Sequence, residues 1–157
     1  MKRLWAPWRA RYILGEKESK CIFCEKPKQD KDEDNYILLR GKRCLVMLNA
    51  YPYNNGHLMI APYRHIDSVE DLEDDEAREM MNLLSRMITL LKKALGPEGF
   101  NVGMNLGTVA GAGIADHLHL HVVPRWKGDT NFMPLISNTK IISESLRETY
   151  QKLKENM

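Results

Sequence analysis

The sequence lacks any apolar run long enough to cross a membrane, and its charges nearly balance. Its 157 residues hold 23 lysines and arginines against 21 aspartates and glutamates, a net charge of +2. No strong global field therefore indicates nucleic acid or a membrane surface as the partner, and any affinity for an anion must be local. The first residues are basic but contain no signal-peptide core, so we expect a cytoplasmic protein.

Cysteine is also scarce. The chain has three cysteines, an odd number that does not suit a disulfide framework, and two of them lie in Cys21-Ile22-Phe23-Cys24. This spacing is typical of a metal or redox site in a reducing compartment. A tetrahedral zinc would need two further ligands, for which His65 and one histidine of residues 117–121 are candidates. Cys44 lies inside an apolar run and is interpreted as a core thiol.

Three of the five histidines fall within the short segment His117-Leu118-His119-Leu120-His121, which continues as Val122-Val123-Pro124. A strand over 117–123 would place the three imidazoles on one face and the aliphatic side chains on the other. A helix would scatter the histidines, and the β-branched run before a proline also favours a strand. Three polar rings in register need partners, so the set indicates metal binding or nucleophilic and acid–base chemistry near neutral pH.

The rest of the pattern predicts an α+β domain with an antiparallel sheet. Apolar runs at 36–40 and 44–48 flank Gly41-Lys42 and predict a β-hairpin. Further strands are predicted at 57–61, ended by a proline, and at 100–106. Helices are predicted at about 71–95, where apolar residues recur every three to four positions, and at 140–156.

Two further segments suggest specific roles. Residues 1–20 carry Trp5 and Trp8 without a regular period, which indicates an arm docked by aromatic anchors on its own chain or on another. The loop at 107–115 is rich in glycine and small residues and leads directly into the histidines. Because small residues let backbone N–H groups approach an anion closely, this loop is interpreted as a phosphate cradle rather than a plain crossover.

These motifs, in their order along the chain, resemble the histidine triad (HIT) superfamily of nucleotide hydrolases and transferases. The resemblance rests on the His-x-His-x-His-x-x pattern at 117–123, on Leu48-Asn49, on Gly56-His57 and on Pro62-Tyr63-Arg64-His65-Ile66. The arm, the Cys21–Cys24 pair, Asn105-Leu106-Gly107 and the stretch 124–134 are most similar to a bacterial branch related to diadenosine tetraphosphate phosphorylases. The resemblance implies a single HIT-like domain over 1–157, with about five strands, one long helix and a C-terminal helix, and a homodimer.

The same resemblance implies an activity and its catalytic residues. Dinucleoside polyphosphates would be cleaved at the α-phosphate through a nucleotidyl intermediate on His119, with water or phosphate as the acceptor. His121 would contact the phosphate oxygens, and His57 would be a polar neighbour in the same pocket. A neutral imidazole suits this role, because one ring nitrogen can attack while a backbone carbonyl holds the other as N–H.

The resemblance also implies nucleotide-binding residues. Asn49 would contact the ribose, and Met47 and Met59 would line the base pocket, although core packing explains both methionines equally well. Eukaryotic members carry glutamine and a hydroxyl residue just before the triad, where this chain has Gly113-Ile114. The remaining candidates for contacts to the phosphates and the leaving group are Asn105, Thr108, Gly111 and Gly113.

For the metal, the resemblance implies zinc held by Cys21, Cys24, His65 and His117. Four protein ligands close a tetrahedral shell and leave no position for a catalytic water, so the zinc would be structural.

Two other functions suit the same motifs. A purine nucleoside phosphoramidase would use the same intermediate but expel an amine. A nucleotide-binding or signalling protein would keep the pocket and turn substrate over slowly.

Overall fold

The computed structural model describes residues 20–130 and 140–157. The predicted arm at 1–20, apart from Lys20, and the stretch 131–139 lie outside the described residues. Among the helices of the described part, none is long and apolar enough to span a membrane.

Five strands form one antiparallel sheet, which confirms the predicted α+β class. The strands are β1 (Ile37–Arg40), β2 (Cys44–Leu48), β3 (Leu58–Pro62), β4 (Gly99–Gly103) and β5 (Leu120–Arg125). They lie side by side in the order β1-β2-β3-β5-β4. The predicted β1–β2 hairpin is confirmed, but Tyr36 stays outside β1 because its φ of 56° is incompatible with extended backbone.

Three α-helices accompany the sheet in the described residues: α1 (Ile22–Glu25), α2 (Asp74–Leu95) and α3 (Leu146–Asn156). The long helix begins three residues later than predicted, because Glu73 is extended and its N–H donates to the Glu76 carboxylate at 2.9 Å. The C-terminal helix begins at Leu146 rather than at 140. Ser145 caps it, with its hydroxyl accepting from the Glu148 N–H at 3.3 Å and its own N–H donating to the Glu148 carboxylate at 3.0 Å.

The two faces of the sheet bury different clusters. Helices α2 and α3 cover one face with a large aliphatic core that includes Val46, Leu48, Leu58 and Val122. Because neighbouring residues of a strand point to opposite sides, the other face carries a smaller cluster. Its members are Phe23, Ile37, Leu45, Met47, Met59 and Ala61. Met47 pairs with Met59, and Met59 pairs with His121, so His121 stands on the face of this smaller cluster.

The histidine segment differs from the predicted strand at both ends. Strand β5 begins at Leu120, because the Leu118 N–H donates at 2.6 Å to the carbonyl of Ile66, in the loop after β3. The strand also continues through Pro124 instead of ending there. Since β3 pairs with β5 only as far as Val122, the missing N–H of Pro124 removes no ladder bond, and its carbonyl accepts the Asn54 amide at 3.0 Å.

The other strand bounds shift for the same kind of reason. Strand β4 ends at Gly103, opposite His121, because β5 offers little partner backbone before Leu120. Strand β3 runs one residue later than predicted and includes Pro62, which pairs with Cys44.

Candidate active site and adjoining metal cluster

The four predicted metal ligands meet at one point. The ligand atoms of Cys21, Cys24, His65 and His117 all lie within 4.8 Å of one another. His117 Nδ1 is 3.2 Å from Cys21 Sγ and 3.6 Å from Cys24 Sγ. His65 Nδ1 is 3.3 Å from Cys24 Sγ and 3.2 Å from His117 Nδ1. Tetrahedral zinc with ordinary bond lengths separates sulfur and nitrogen ligands by about 3.4 to 3.6 Å, so the donor set and its spacing fit this metal.

One short helical turn places the two thiols. The N–H groups of Cys24 and Glu25 donate to the Cys21 carbonyl at 3.1 and 3.0 Å, which wraps both cysteines around one end of α1. Phe23 between them is fully buried in the smaller cluster. Its ring centre lies 5.1 Å from that of His117 and 5.0 Å from that of His119. The metal cluster and the middle histidine are therefore packed against the same aromatic ring.

His117 is oriented by a carbonyl of β3. Its Nε2 lies 2.9 Å from the oxygen of Pro62. A carbonyl only accepts hydrogen bonds, so Nε2 carries the proton and the lone pair of Nδ1 faces the cysteines. Burial lowers the pKa of His117, which keeps the ring neutral. This neutral tautomer, with its second nitrogen held by the backbone, is the form that ligates metals.

His119 is oriented by the backbone of His117. Its Nδ1 lies 2.8 Å from the His117 carbonyl oxygen, so Nδ1 holds the proton and Nε2 holds the lone pair. Burial lowers the pKa of His119, and the side chain is only 5% exposed. At neutral pH the ring is thus a neutral imidazole in a fixed tautomer, which is what a nucleophilic nitrogen requires.

A chain of hydrogen bonds sets the proton positions of the other two histidines. The Tyr53 N–H donates to His57 Nδ1 at 3.0 Å, so the proton of His57 is on Nε2. That nitrogen lies 2.9 Å from His121 Nδ1, so His121 in turn carries its proton on Nε2. The Nε2 atom of His121 is buried and has no hydrogen-bond partner among the described residues. This series of hydrogen bonds therefore ends in the oriented N–H donor of His121, which needs an acceptor.

The electrostatics keep this pair uncharged. Burial, with His121 and His119 nearby, lowers the pKa of His57 to about 3. Burial and the neighbouring His119 lower the pKa of His121 to about 4. The rings of His119 and His121 meet edge to face with centres 4.7 Å apart. His119 thus offers a lone pair next to the N–H donor of His121. Nucleophilic attack on the phosphorus of an anionic phosphate uses both kinds of group.

The predicted ribose and base positions lie next to these histidines. Asn49, at the end of β2, has its amide nitrogen 3.5 Å from His57 Nδ1, and its amide oxygen accepts the Tyr51 N–H at 2.9 Å. Met47 and Met59 are 1% and 4% exposed within the Phe23 cluster. Packing therefore accounts for both methionine side chains in the structure.

The predicted phosphate loop at 107–115 is more exposed than the histidines of the triad. Gly107 and Gly111 have φ values of 80° and 89° and bracket a short 3-10 turn that contains Thr108. Gly111, Gly113 and Thr108 are exposed, while Ile114 packs against the smaller cluster. The amide of Asn105 donates to the Gly111 carbonyl at 3.5 Å. Asn105 is thus bonded to the loop itself, and among the described residues no hydrogen bond joins Asn105 or Thr108 to the triad.

Three contributors to the site were absent from the sequence prediction. Phe23 gave a weak signal through its place between two predicted metal ligands, and Tyr53 gave one through its closeness to His57 in the sequence. The Tyr53 ring centre lies 4.5 Å from that of His57 and 5.7 Å from that of His121, with half of the residue exposed. The third contributor, the Pro62 carbonyl, gave no signal, because every residue has a backbone carbonyl and the sequence does not mark which one accepts a hydrogen bond.

Comparison with known proteins places the chain among histidine triad proteins. The HIT domain family matches residues 30–128. The "AP-4-A phosphorylase" of Mycobacterium tuberculosis is 43% identical over 162 residues, which cover 98% of this chain and 83% of that protein. The "Adenosine 5'-monophosphoramidase hnt1" of Schizosaccharomyces pombe is 30% identical over 105 residues, 67% of this chain and 74% of that protein.

A solved structure shares the fold. The zinc-bound histidine triad family protein from Mycobacterium smegmatis has a TM-score of 0.69 at 22% sequence identity, covering 87% of this chain and 92% of that chain.

The assigned tautomers are directly testable. Long-range ¹⁵N–¹H correlation spectra at pH 7 are expected to show His119 protonated on Nδ1, and His57 and His121 protonated on Nε2, because of their hydrogen-bond partners. The low pKa values of His57 and His121 predict that both patterns persist as the pH is lowered to about 5. A protonated Nε2 on His119 at pH 7 would contradict the assignment of its lone pair.

Proposed function

The chain belongs to the HIT domain family, and on this premise we propose that it transfers the nucleotidyl group of dinucleoside polyphosphates to inorganic phosphate by way of His119. The observation that carries the proposal is the hydrogen bond from His119 Nδ1 to the His117 carbonyl, which leaves a lone pair on Nε2. The relative at 43% identity, which is named a phosphorylase of AP-4-A, supports the substrate class and the phosphate acceptor.

In the first step, His119 Nε2 attacks the α-phosphorus and forms a nitrogen–phosphorus bond. The bond from that phosphorus to the bridging oxygen breaks, and the leaving nucleoside polyphosphate keeps the electron pair. Positive charge that develops on the imidazole is shared with Nδ1–H, whose bond to the His117 carbonyl strengthens as a result. The unpartnered Nε2–H of His121 is the donor placed to meet an α-phosphate oxygen.

In the second step, a phosphate oxygen attacks the same phosphorus. The nitrogen–phosphorus bond breaks, its electron pair returns to Nε2, and a nucleoside diphosphate leaves. His57 assists only through His121, because its Nε2–H holds His121 Nδ1 as an acceptor. Asn49, beside His57, is assigned to the ribose, and the exposed loop of Gly111 and Gly113 is assigned to the phosphates. Because the Gly111 N–H donates to the Thr108 carbonyl at 3.0 Å, the N–H of Gly113 is the donor that we assign.

We also assign the four-residue cluster to a structural zinc. The fit of two thiols and two imidazoles within 4.8 Å supports this assignment. A bound zinc would supply cross-linking between α1, the loop after β3 and the start of the histidine segment, and no step of the reaction passes through it. Within the single domain that we assign to the chain, bound zinc would fix the His117 backbone next to the nucleophile His119. Reduced thiols of this kind suit the cytoplasm, where we place the protein.

The chain is proposed to act as a homodimer. Edge strand β4 leaves Val102 exposed, and Leu106 and Val109 after it are also exposed apolar side chains. An edge strand with apolar residues is a surface that pairing with a second copy would cover. Sedimentation velocity is expected to give a species of about twice the 18.2 kDa chain mass. A monomer over the whole concentration range would contradict the dimer.

The product pattern tests the proposed reaction. Incubation with diadenosine tetraphosphate is expected to yield ADP and ATP only when phosphate is present, whereas AMP and ATP would assign water as the acceptor. The His119→Ala variant is expected to lose at least about a thousand-fold in kcat and to retain substrate binding, because it removes the attacking atom. The control is Arg78→Ala, an exposed change on α2. Turnover of His119→Ala near the wild-type rate would refute the nucleophile, and tight binding without products would indicate a nucleotide-binding protein.

A phosphoramidase is the second candidate, and the relative named adenosine 5'-monophosphoramidase favours it. It would use the same attack by His119 but expel an amine. Faster turnover of adenosine 5'-phosphoramidate than of diadenosine tetraphosphate would assign this function instead.

Metal analysis tests the zinc assignment. Elemental analysis is expected to give roughly one zinc per chain. Cys21→Ser is expected to lose the metal and to lower Tm by about 10 °C, since the loss of a structural metal is among the largest single-residue effects. Cys44→Ser is the matched control, because Cys44 is buried but lies outside the four-residue cluster. Zinc retained by Cys21→Ser, or absent from the wild type, would contradict the assignment.

A further inference from the structure

A cleft opens on the sheet face that carries the histidines, at the far end of β5 from His119. It has a volume of about 270 Å³, and its lining includes Tyr53, Asn101, Arg125 and Lys140. None of these residues belongs to the predicted catalytic or nucleotide-binding set. The cleft is therefore separate from the predicted site.

The cleft lies on the same face of the sheet as the proposed catalytic histidines. His121, Val123 and Arg125 alternate along β5 with Val122, which packs into the core beneath the helices, so all three face the side of the histidines. Arg125 is four residues from His121, about 13 Å along an extended strand. Tyr53 connects the two places, because its ring lies against His121 at 5.7 Å and also lines the cleft.

The lining is cationic, and not all of its hydrogen-bond donors are used by the described residues. Arg125 Nε and Nη2 donate to the Asp129 carboxylate at 2.6 and 2.9 Å, and Nη1 donates to the Asn101 amide oxygen at 2.6 Å. These bonds use three of the five guanidinium N–H groups. The Lys140 ammonium donates to the backbone carbonyl of Asp129, which uses one of its three. Two cations thus lie beside Asp129, Arg125 on its carboxylate and Lys140 on its backbone carbonyl.

Asp129 does not cancel this surface. Its carboxylate also accepts the Asn54 amide at 2.7 Å and the Trp126 N–H at 3.2 Å. The Arg125 guanidinium beside it holds the pKa of Asp129 well below its ordinary value. The carboxylate is therefore engaged by donors of its own turn and of Asn54, while the remaining N–H groups of Arg125 and Lys140 have no partner among the described residues and can bind an anion.

We propose that this cleft binds the polyphosphate chain of the leaving half of the substrate. The triad itself is assigned only to the α-phosphate. The inference rests on the proposed nucleotidyl transfer through His119. In such a transfer the leaving oxygen lies opposite the attacking nitrogen. His119 lies just before β5, Arg125 ends that strand, and the exposed ring of Tyr53 joins His121 to the cleft, so we place the departing polyphosphate along this path to Arg125 and Lys140.

The proposed subsite distinguishes substrates by their leaving groups. A leaving group with several phosphates gains contacts to Arg125 and Lys140, whereas an amine leaving group gains none. Both kinds of substrate share the nucleotidyl half and the attack by His119. A change confined to the cleft must therefore separate them.

The test compares diadenosine tetraphosphate with adenosine 5'-phosphoramidate as substrates of the full chain. Lys140→Met keeps most of the side-chain length and removes the charge. It is expected to lower kcat/KM for the tetraphosphate about ten-fold, chiefly through KM, and to change the phosphoramidate value by less than about two-fold. Lys140→Arg is expected to restore most of the loss. Lys127→Met is the matched control, because Lys127 is exposed and only its backbone N–H bonds to Glu98.

Ionic strength provides a second measurement. The difference between wild type and Lys140→Met on the tetraphosphate is expected to shrink as salt is raised, since salt screens a cation that contacts a polyphosphate. An equal loss on both substrates, or no loss on either, would overturn the subsite while leaving the nucleotidyl transfer intact. If the wild type turns over neither substrate, the proposed function fails and the subsite fails with it.

Discussion

The hydrogen bond from His119 Nδ1 to the carbonyl oxygen of His117, at 2.8 Å, is the interaction on which the site depends. It decides which nitrogen of His119 keeps a lone pair. The bond holds only if the His117 carbonyl stays in place, and two contacts fix that residue. Its ring donates to the Pro62 carbonyl at 2.9 Å, and the next residue, Leu118, donates to the carbonyl of Ile66. The imidazole of His119 is thus oriented by backbone atoms rather than by another titratable side chain.

A sheet with two unlike faces makes this arrangement possible. One face is sealed by α2 and α3 over a large aliphatic core, and that core fixes the strands. The other face carries the Phe23 cluster, which desolvates the histidines without enclosing them. Buried imidazoles in such a place stay neutral and need hydrogen-bond partners. His117, His119 and His57 have theirs among the described residues, and the donor without a partner there is His121 Nε2, which we assign to a phosphate oxygen.

Much of this site follows from side-chain patterns in the sequence. The alternation of residues 117–121 predicted which side chains share a face, and the Cys21–Cys24 spacing predicted thiols that converge. What the sequence could not show is supplied by backbone and by distant partners. The carbonyl of Pro62 is 55 residues from His117, and the ring of Phe23 reaches two histidines from the far end of the chain. The strand start at Leu120 and the tolerance of Pro124 within β5 depend on where β3 stops pairing, which no local pattern records.

In the proposed reaction, His119 Nε2 becomes bonded to the α-phosphorus. The most direct measurement is intact-mass spectrometry of the chain, quenched within the first turnover of diadenosine tetraphosphate in the absence of phosphate, followed by peptide mapping under conditions that preserve phosphoramidates. We expect one adenylyl group per modified chain, located on His119, which disappears when phosphate is added and is missing from His119→Ala. An adenylyl group on another residue, or products formed at full rate with no modified chain at any time, would contradict covalent transfer through His119.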